Sequence, residues 1–195
     1  MLSISQFQFL DPDGEISVTI GDLPHWQQTG ATYFITYRLA DSISQQAHTL
    51  IMAKRDDWLR RHGIDPLLPR WQLLLTRLPD QQRSTFRRLF ATAFETELDK
   101  LSGDCVLRTP EVQQIVSENL RHFDGQRYQL GGFVVMPNHV HVLARVFPER
   151  EMLTQCYNWK HYQACQINKV LGQAGHLFQP ESFDHIVRDG ENFVK

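Results

Sequence analysis

The segment Gly131-Gly132-Phe133-Val134-Val135-Met136-Pro137-Asn138-His139-Val140-His141-Val142-Leu143 restricts the fold more than any other part of the chain. An apolar run, a Pro-Asn corner and a second alternating run describe two strands meeting at a tight reversal. Side chains alternate faces along a strand. His139 and His141 therefore share one face with Leu143, while Val140, Val142 and Ala144 supply the opposite, apolar one. The continuous Phe133-Val134-Val135-Met136 run predicts a central strand covered on both faces, and Gly131-Gly132 predicts a bulge or a close backbone approach. Two imidazoles two residues apart on a rigid strand can converge on one divalent cation. The same spacing also occurs in strands as two ordinary polar residues.

The rest of the chain supplies partners for that hairpin. Residues 1–30 read as an irregular N-terminal extension, with turns at Asp11-Pro12-Asp13-Gly14 and Gly21-Asp22-Leu23-Pro24 and one short edge strand at 16–20. Residues 31–195 read as a single domain that opens on the aromatic and β-branched strand Tyr33-Phe34-Ile35-Thr36-Tyr37-Arg38-Leu39. A helix is expected from Ser44 to about residue 61, burying Leu50, Ile51, Trp58 and Leu59. Pro79-Asp80 starts a stronger one, whose Phe86, Leu89, Phe90, Ala93, Phe94 and Leu98 form a single stripe. Arg83, Arg87 and Arg88 lie mainly off that stripe, as a solvated face or a phosphate-contacting patch. Thr109-Pro110-Glu111 opens a third helix, with Val112, Ile115, Val116, Leu120 and Phe123 inward. A fourth, from about 151 to 171, is expected to bury Leu153, Cys156, Tyr157, Ala164, Ile167 and Leu171, with Trp159, Lys160 and Tyr162 beside the stripe. Residues 181–188 alternate like a last strand. Strands interleaved with amphipathic helices, including an antiparallel pair, predict an α+β sandwich of the ferredoxin-like kind: an antiparallel sheet with helices packed on one face.

Composition excludes more than it proposes. A formal charge of −2 rules out a uniformly basic nucleic-acid-binding surface, so a DNA site has to be a local patch. Cys105, Cys156 and Cys165 are odd in number and lack C-x-x-C spacing, which argues against a disulfide framework and for a reducing compartment, the cytoplasm. No signal peptide or membrane-spanning run is evident, so no membrane partner is expected.

Met136-Pro137-Asn138-His139-Val140-His141-Val142-Leu143 resembles the hallmark of the HUH-type single-tyrosine transposases, specifically the REP-associated tyrosine transposase group. Three further blocks resemble the same group in the same order. Asn119-Leu120-Arg121-His122-Phe123-Asp124-Gly125-Gln126-Arg127-Tyr128 is similar to the run before the histidine strand. Trp159-Lys160-His161-Tyr162 and Ile167-Asn168 stand where the family has its W-K-x-x-x-A-x-x-I-N-like helix. Gly175-His176-Leu177-Phe178-Gln179-Pro180-Glu181-Ser182-Phe183-Asp184-His185-Ile186-Val187-Arg188 is similar to its closing strand segment. The resemblance covers residues 30–40 and 105–195, and the helix-rich region between is only compatible with it.

That resemblance implies a ferredoxin-like domain that binds single-stranded or hairpin DNA of the repetitive extragenic palindromic kind and cuts and rejoins it in transposition. It implies a tyrosine oxygen attacking a backbone phosphate to give a 5′-phosphotyrosine and a free 3′-hydroxyl, with no nucleotide cofactor. His139 and His141 would hold Mg²⁺ or Mn²⁺, which polarises the phosphate. Asn138, Arg145, Trp159, Lys160 and Arg188 are the candidate DNA contacts, through phosphate pairing and base stacking. The family's nucleophile lies about two helical turns beyond the segment matching His185-Ile186-Val187-Arg188. Here Asp189 reads as an N-cap and residues 190–195 as the start of that helix. The tyrosine and a third metal ligand would fall past Lys195, so the expectation is a truncated chain or a domesticated DNA-binding module without cutting activity. Tyr128, Tyr157 and Tyr162 read as core or helix-edge aromatics. A monomer and a homodimer both fit. A reading from another class, an unrelated metal-dependent hydrolase, needs a further ligand such as Asp184 or His185.

Overall fold

The computed structural model describes residues 4–21, 24–148 and 151–191. Its centre is an antiparallel sheet of β3 (Thr32–Arg38), β4 (Tyr128–Val135), β5 (His139–Val146) and β6 (Phe183–Ile186), in the order β4-β5-β3-β6. Each neighbouring pair is antiparallel. Taken in chain order, the first strand lies between the third and the fourth, with helical crossovers before the second and the fourth. That is the ferredoxin-like arrangement. Two strands preceding it, β1 (Ser17–Ile20) and β2 (Pro24–Gln27), form a separate hairpin against the β6 edge. Residues 22 and 23, in the turn expected there, lie outside the described residues.

One face of the sheet is dry. Tyr33, Ile35 and Tyr37 of β3 and Val140, Val142 and Ala144 of β5 are almost fully buried against α4 (Pro110–His122) and α5 (Met152–Leu171). Val112, Val116 and Leu120 form the inward stripe of α4, as their spacing predicts, and Pro110 occupies its first turn.

The α5 stripe differs from the expected one. Met152, Gln155, Cys156, Trp159, Lys160, Gln163 and Ile167 face inward, while Tyr157 is 61% exposed. Three of those inward residues are polar, and each has a partner or a cavity edge to meet. Tyr37 donates its hydroxyl proton to Gln163 Oε1 at 2.9 Å, and Gln163 Nε2 donates to Asn119 Oδ1 at 3.0 Å. With its amide satisfied, Gln163 is buried at little cost.

The β4 strand also departs from expectation. It is an edge strand, with Val134 54% exposed, and not a central one covered on both faces. The doublet does mark an irregularity: the register with β5 shifts between Leu130 and Gly132. A Cβ on Gly131 would come within 3.1 Å of the Leu143 carbonyl oxygen, whereas one on Gly132 would meet nothing within 4 Å.

Between β3 and α4 the chain inserts α1 (Gln45–Arg61), α2 (Gln72–Leu75) and α3 (Asp80–Leu98). Ser44 Oγ accepts from the Ala47 N–H and caps α1. These helices have a core of their own, made by Ile51, Leu59, Ile64, Trp71, Leu75, Phe86 and Phe90. Leu50 and Leu89, expected inside, are exposed. The far end of α3 reaches the sheet face opposite α4 and α5, where Arg38 lies over the Phe94 ring. Among the described residues, no helix is long and apolar enough to cross a membrane.

Candidate metal and nucleic-acid site

The β4–β5 reversal places the histidines. The Met136 N–H donates to the His139 carbonyl at 2.9 Å and closes the Pro137-Asn138 corner. Strand alternation then puts His139 and His141 on the face away from α4 and α5, opposite Arg38 and Thr36 of β3. Their Nε2 atoms are 3.0 Å apart.

Each ring is held at its other nitrogen. Asn138 is fully buried. Its Nδ2 donates to the Leu98 carbonyl at 3.1 Å, so its Oδ1, 2.8 Å from His139 Nδ1, is the acceptor. That makes His139 the Nδ1–H tautomer and leaves its Nε2 with a lone pair. His141 Nδ1 lies 2.8 Å from Thr36 Oγ1. Burial is the main reason the His139 pKa falls to about 4, with His141 adding to it and Asp99 opposing. Burial likewise lowers His141, again opposed by Asp99. Both rings are therefore neutral near pH 7, the state a metal requires.

Two such nitrogens could supply part of the coordination shell of a divalent cation. Two nitrogens bonded at about 2.1 Å to one ion, at a right angle, stand about 3.0 Å apart. The carboxamide and hydroxyl behind the rings are the kind of outer partners that fix a ligating imidazole. Among the described residues, no group of three or more His, Cys, Asp or Glu side chains gathers as a metal site. Asp184 is bonded to His25, and the ring of Phe34 stands between His185 and His141.

The five candidate DNA contacts are not brought together. Asn138 is committed to His139 and α3. Trp159 is 1% exposed on the other side of the sheet, its indole N–H donating to the Tyr128 hydroxyl at 3.1 Å. Lys160 is buried, and its ammonium donates to the Gln179 carbonyl at 3.1 Å and to that of Pro180. Burial lowers its pKa, against the pull of Cys156 and Glu181. Arg145 donates to the Gly30 and Gln6 carbonyls at 3.1 and 3.0 Å and ties the N-terminal segment to β5. Arg188 alone among the five is exposed.

None of the five tyrosines faces the histidine pair. Tyr33 and Tyr37 lie on the dry face of β3, and Tyr128 donates to the Leu120 carbonyl beneath α4. Tyr157 and Tyr162 lie on the exposed side of α5. Gly190 and Glu191 are helical, and residues 192–195, the rest of the expected helix, lie outside the described residues. Sequence reasoning missed Phe34, which stacks on His141 with ring centroids 5.2 Å apart, and Thr36. Both lie two residues apart on β3, a signal that needs the β3–β5 register to have meaning.

No family model matches the chain, and no curated protein matches it. Among solved structures it is similar to one described as a REP-associated tyrosine transposase bound to a REP hairpin, with a TM-score of 0.42 and 12% identity. The likeness covers 87% of this chain and 64% of that one, so the chain spans less than two thirds of that protein's length. The strand order β4-β5-β3-β6, with every neighbouring pair antiparallel, defines the ferredoxin-like fold by itself.

Proposed function

We propose that this is a transposase-like protein that binds single-stranded or hairpin DNA at the histidine face, with a divalent cation held by His139 and His141. The observation that carries the reading is the convergence of two imidazole nitrogens, 3.0 Å apart on a central strand, each ring held at its other nitrogen. A cation there would polarise a phosphodiester and draw off charge from its oxygens. Nitrogen donors favour Mn²⁺ over the oxygen-seeking Mg²⁺. Asn138 and Thr36 hold the rings, and burial keeps them unprotonated. With all five tyrosines directed elsewhere, the residues of this chain bind and orient the strand. Cutting by the phosphotyrosine route would require a nucleophile from outside residues 1–195.

The hairpin named for the similar solved structure is the DNA form to try first. Labelled hairpin and single-stranded oligonucleotides from palindromes near the gene are incubated with the chain and Mn²⁺, beside His139→Ala. Metal-dependent binding without a covalent adduct, lost in His139→Ala, is the expected result. A covalent adduct formed by the chain itself would refute the account of its tyrosines, and no binding of either DNA would refute the reading.

A further inference from the structure

We infer that Arg87 and Arg188 form a phosphate clamp at the β6 edge of the histidine face, with Phe34 and His185 as the ring platform leading to it. This rests on the DNA-binding reading above and assigns the route a single strand takes from the histidine pair.

Three rings cross three strands of that face. His141 on β5 stacks on Phe34 of β3 at 5.2 Å and 30°, and Phe34 meets His185 of β6 at 5.3 Å and 32°. Phe34 and His141 are partly buried and His185 is exposed, so the row is open to a planar ligand at its outer end. Nucleobases of any sequence stack on such rings.

Cations are collected where the row ends. Arg188, just beyond β6, is exposed, and its guanidinium reaches Ser84 Oγ of α3 at 3.4 Å. Arg87, one turn further along α3, lies with its guanidinium 4.0 Å over the Trp26 ring, which Arg83 also approaches at 5.3 Å. Arg83 is paired with Asp80 and bonded to the Thr76 carbonyl. Arg87 and Arg188 have no carboxylate within ion-pair distance among the described residues; the charge of Asp184 is felt at Arg87, but its Oδ1 is bonded to His25 and its Oδ2 has no hydrogen-bond partner. Burial, then the charges of Arg188 and Arg83, bring the Arg87 pKa down to about 10, against the pull of Asp184. Two guanidinium groups at positions a helical turn apart along α3, one over Trp26 and one on Ser84, with no carboxylate paired to either among the described residues, are poised to accept an anion, and the fork geometry suits phosphate oxygens. On a chain of net charge −2 this cluster is a local feature. It depends on the inserted α3, so the insertion would add a strand contact to the sheet.

The test uses the full chain, fluorescein-labelled single-stranded and hairpin oligonucleotides, and anisotropy titrations across a salt series. Arg188→Ala, Arg188→Lys and Arg87→Ala are compared, with thermal melts to establish folding and a Mn²⁺ titration to follow the histidine site. Arg188→Ala and Arg87→Ala should each weaken binding about tenfold and lower the slope of log affinity against log salt by about 1. Mn²⁺ binding should stay unchanged, and Arg188→Lys should keep the slope. Unchanged affinity and slope in both alanine variants, with Mn²⁺-dependent DNA binding intact, would overturn the clamp and leave the histidine reading standing. Weaker binding at an unchanged slope would also overturn it, since no phosphate contact would have been lost. Failure of the unmodified chain to bind any of these oligonucleotides would overturn both.

Discussion

Asn138 is the hinge between α3 and the histidine pair: one end of its carboxamide donates to the Leu98 carbonyl, and the other holds His139 Nδ1 at 2.8 Å. A residue in a strand reversal thereby ties a helix end, 40 positions earlier in the chain, to the orientation of an imidazole.

Asn138→Ala removes both bonds. The freed Leu98 carbonyl loses a buried donor, and His139 can change tautomer. The expected outcome is a loss of about 1–3 kcal/mol of stability in urea unfolding and Mn²⁺ binding weakened about 10–100-fold in calorimetry. Unchanged metal affinity in a folded variant would show that burial alone orients the ring.

The N-terminal hairpin should loosen as pH rises. His25 on β2 is buried against Asp184 of β6. Burial lowers its pKa, but the hydrogen bond and charge of Asp184, with Glu181, outweigh that and raise it above 6.5. A raised folded-state pKa contributes stability that is complete below pH 6.5 and is lost as pH passes the folded value. Urea midpoints should therefore fall as pH rises above 6.5 in the parent and stay flatter in His25→Gln. Parallel profiles would mean the proton at His25 is not linked to folding.

The two adjacent glycines should separate cleanly. Gly131→Ala drives a Cβ against the Leu143 carbonyl at 3.1 Å and the Leu143 side chain at 3.2 Å, where the partner strand cannot easily yield. A cost of about 1–3 kcal/mol is expected. Gly132→Ala meets open space and should be near neutral. Equal effects in urea unfolding would mean the bulge is not where the close approach occurs.

Trp159→Phe should act on stability alone. It removes the indole donor to the Tyr128 hydroxyl and part of a fully buried side chain, for an expected loss of about 1–3 kcal/mol. DNA affinity of the folded variant should match the parent in anisotropy. A selective loss of DNA affinity would restore the stacking role expected from sequence.

That tryptophan shows where sequence reading stops. On α5 the apolar pattern alone favours a stripe through Leu153, Tyr157 and Leu171, because Gln155, Lys160 and Gln163 look like solvent-facing residues. For Gln163 and Lys160, burial comes with partners on other elements: Tyr37 and Asn119 for the one, the carbonyls of Gln179 and Pro180 for the other. The same limit applies to β4, whose Phe133-Val134-Val135-Met136 run is apolar enough for a central strand. Edge position is a property of strand order, and no local pattern encodes it.

The sequence by itself determined that His139 and His141 share a face and that Val140, Val142 and Ala144 take the other, because side-chain alternation follows from the covalent geometry of an extended chain. It also determined the Pro-Asn reversal, the irregularity at the glycine doublet and the inward stripe of α4. Tertiary structure alone decided that the Leu98 carbonyl would fix the Asn138 carboxamide behind His139, that Thr36 would stand behind His141, that Phe34 would link His141 to His185, and that Arg188 would reach Ser84, one turn from Arg87 on α3. Those contacts join segments distant in the chain, and only strand register and the docking of the inserted helices bring them within reach.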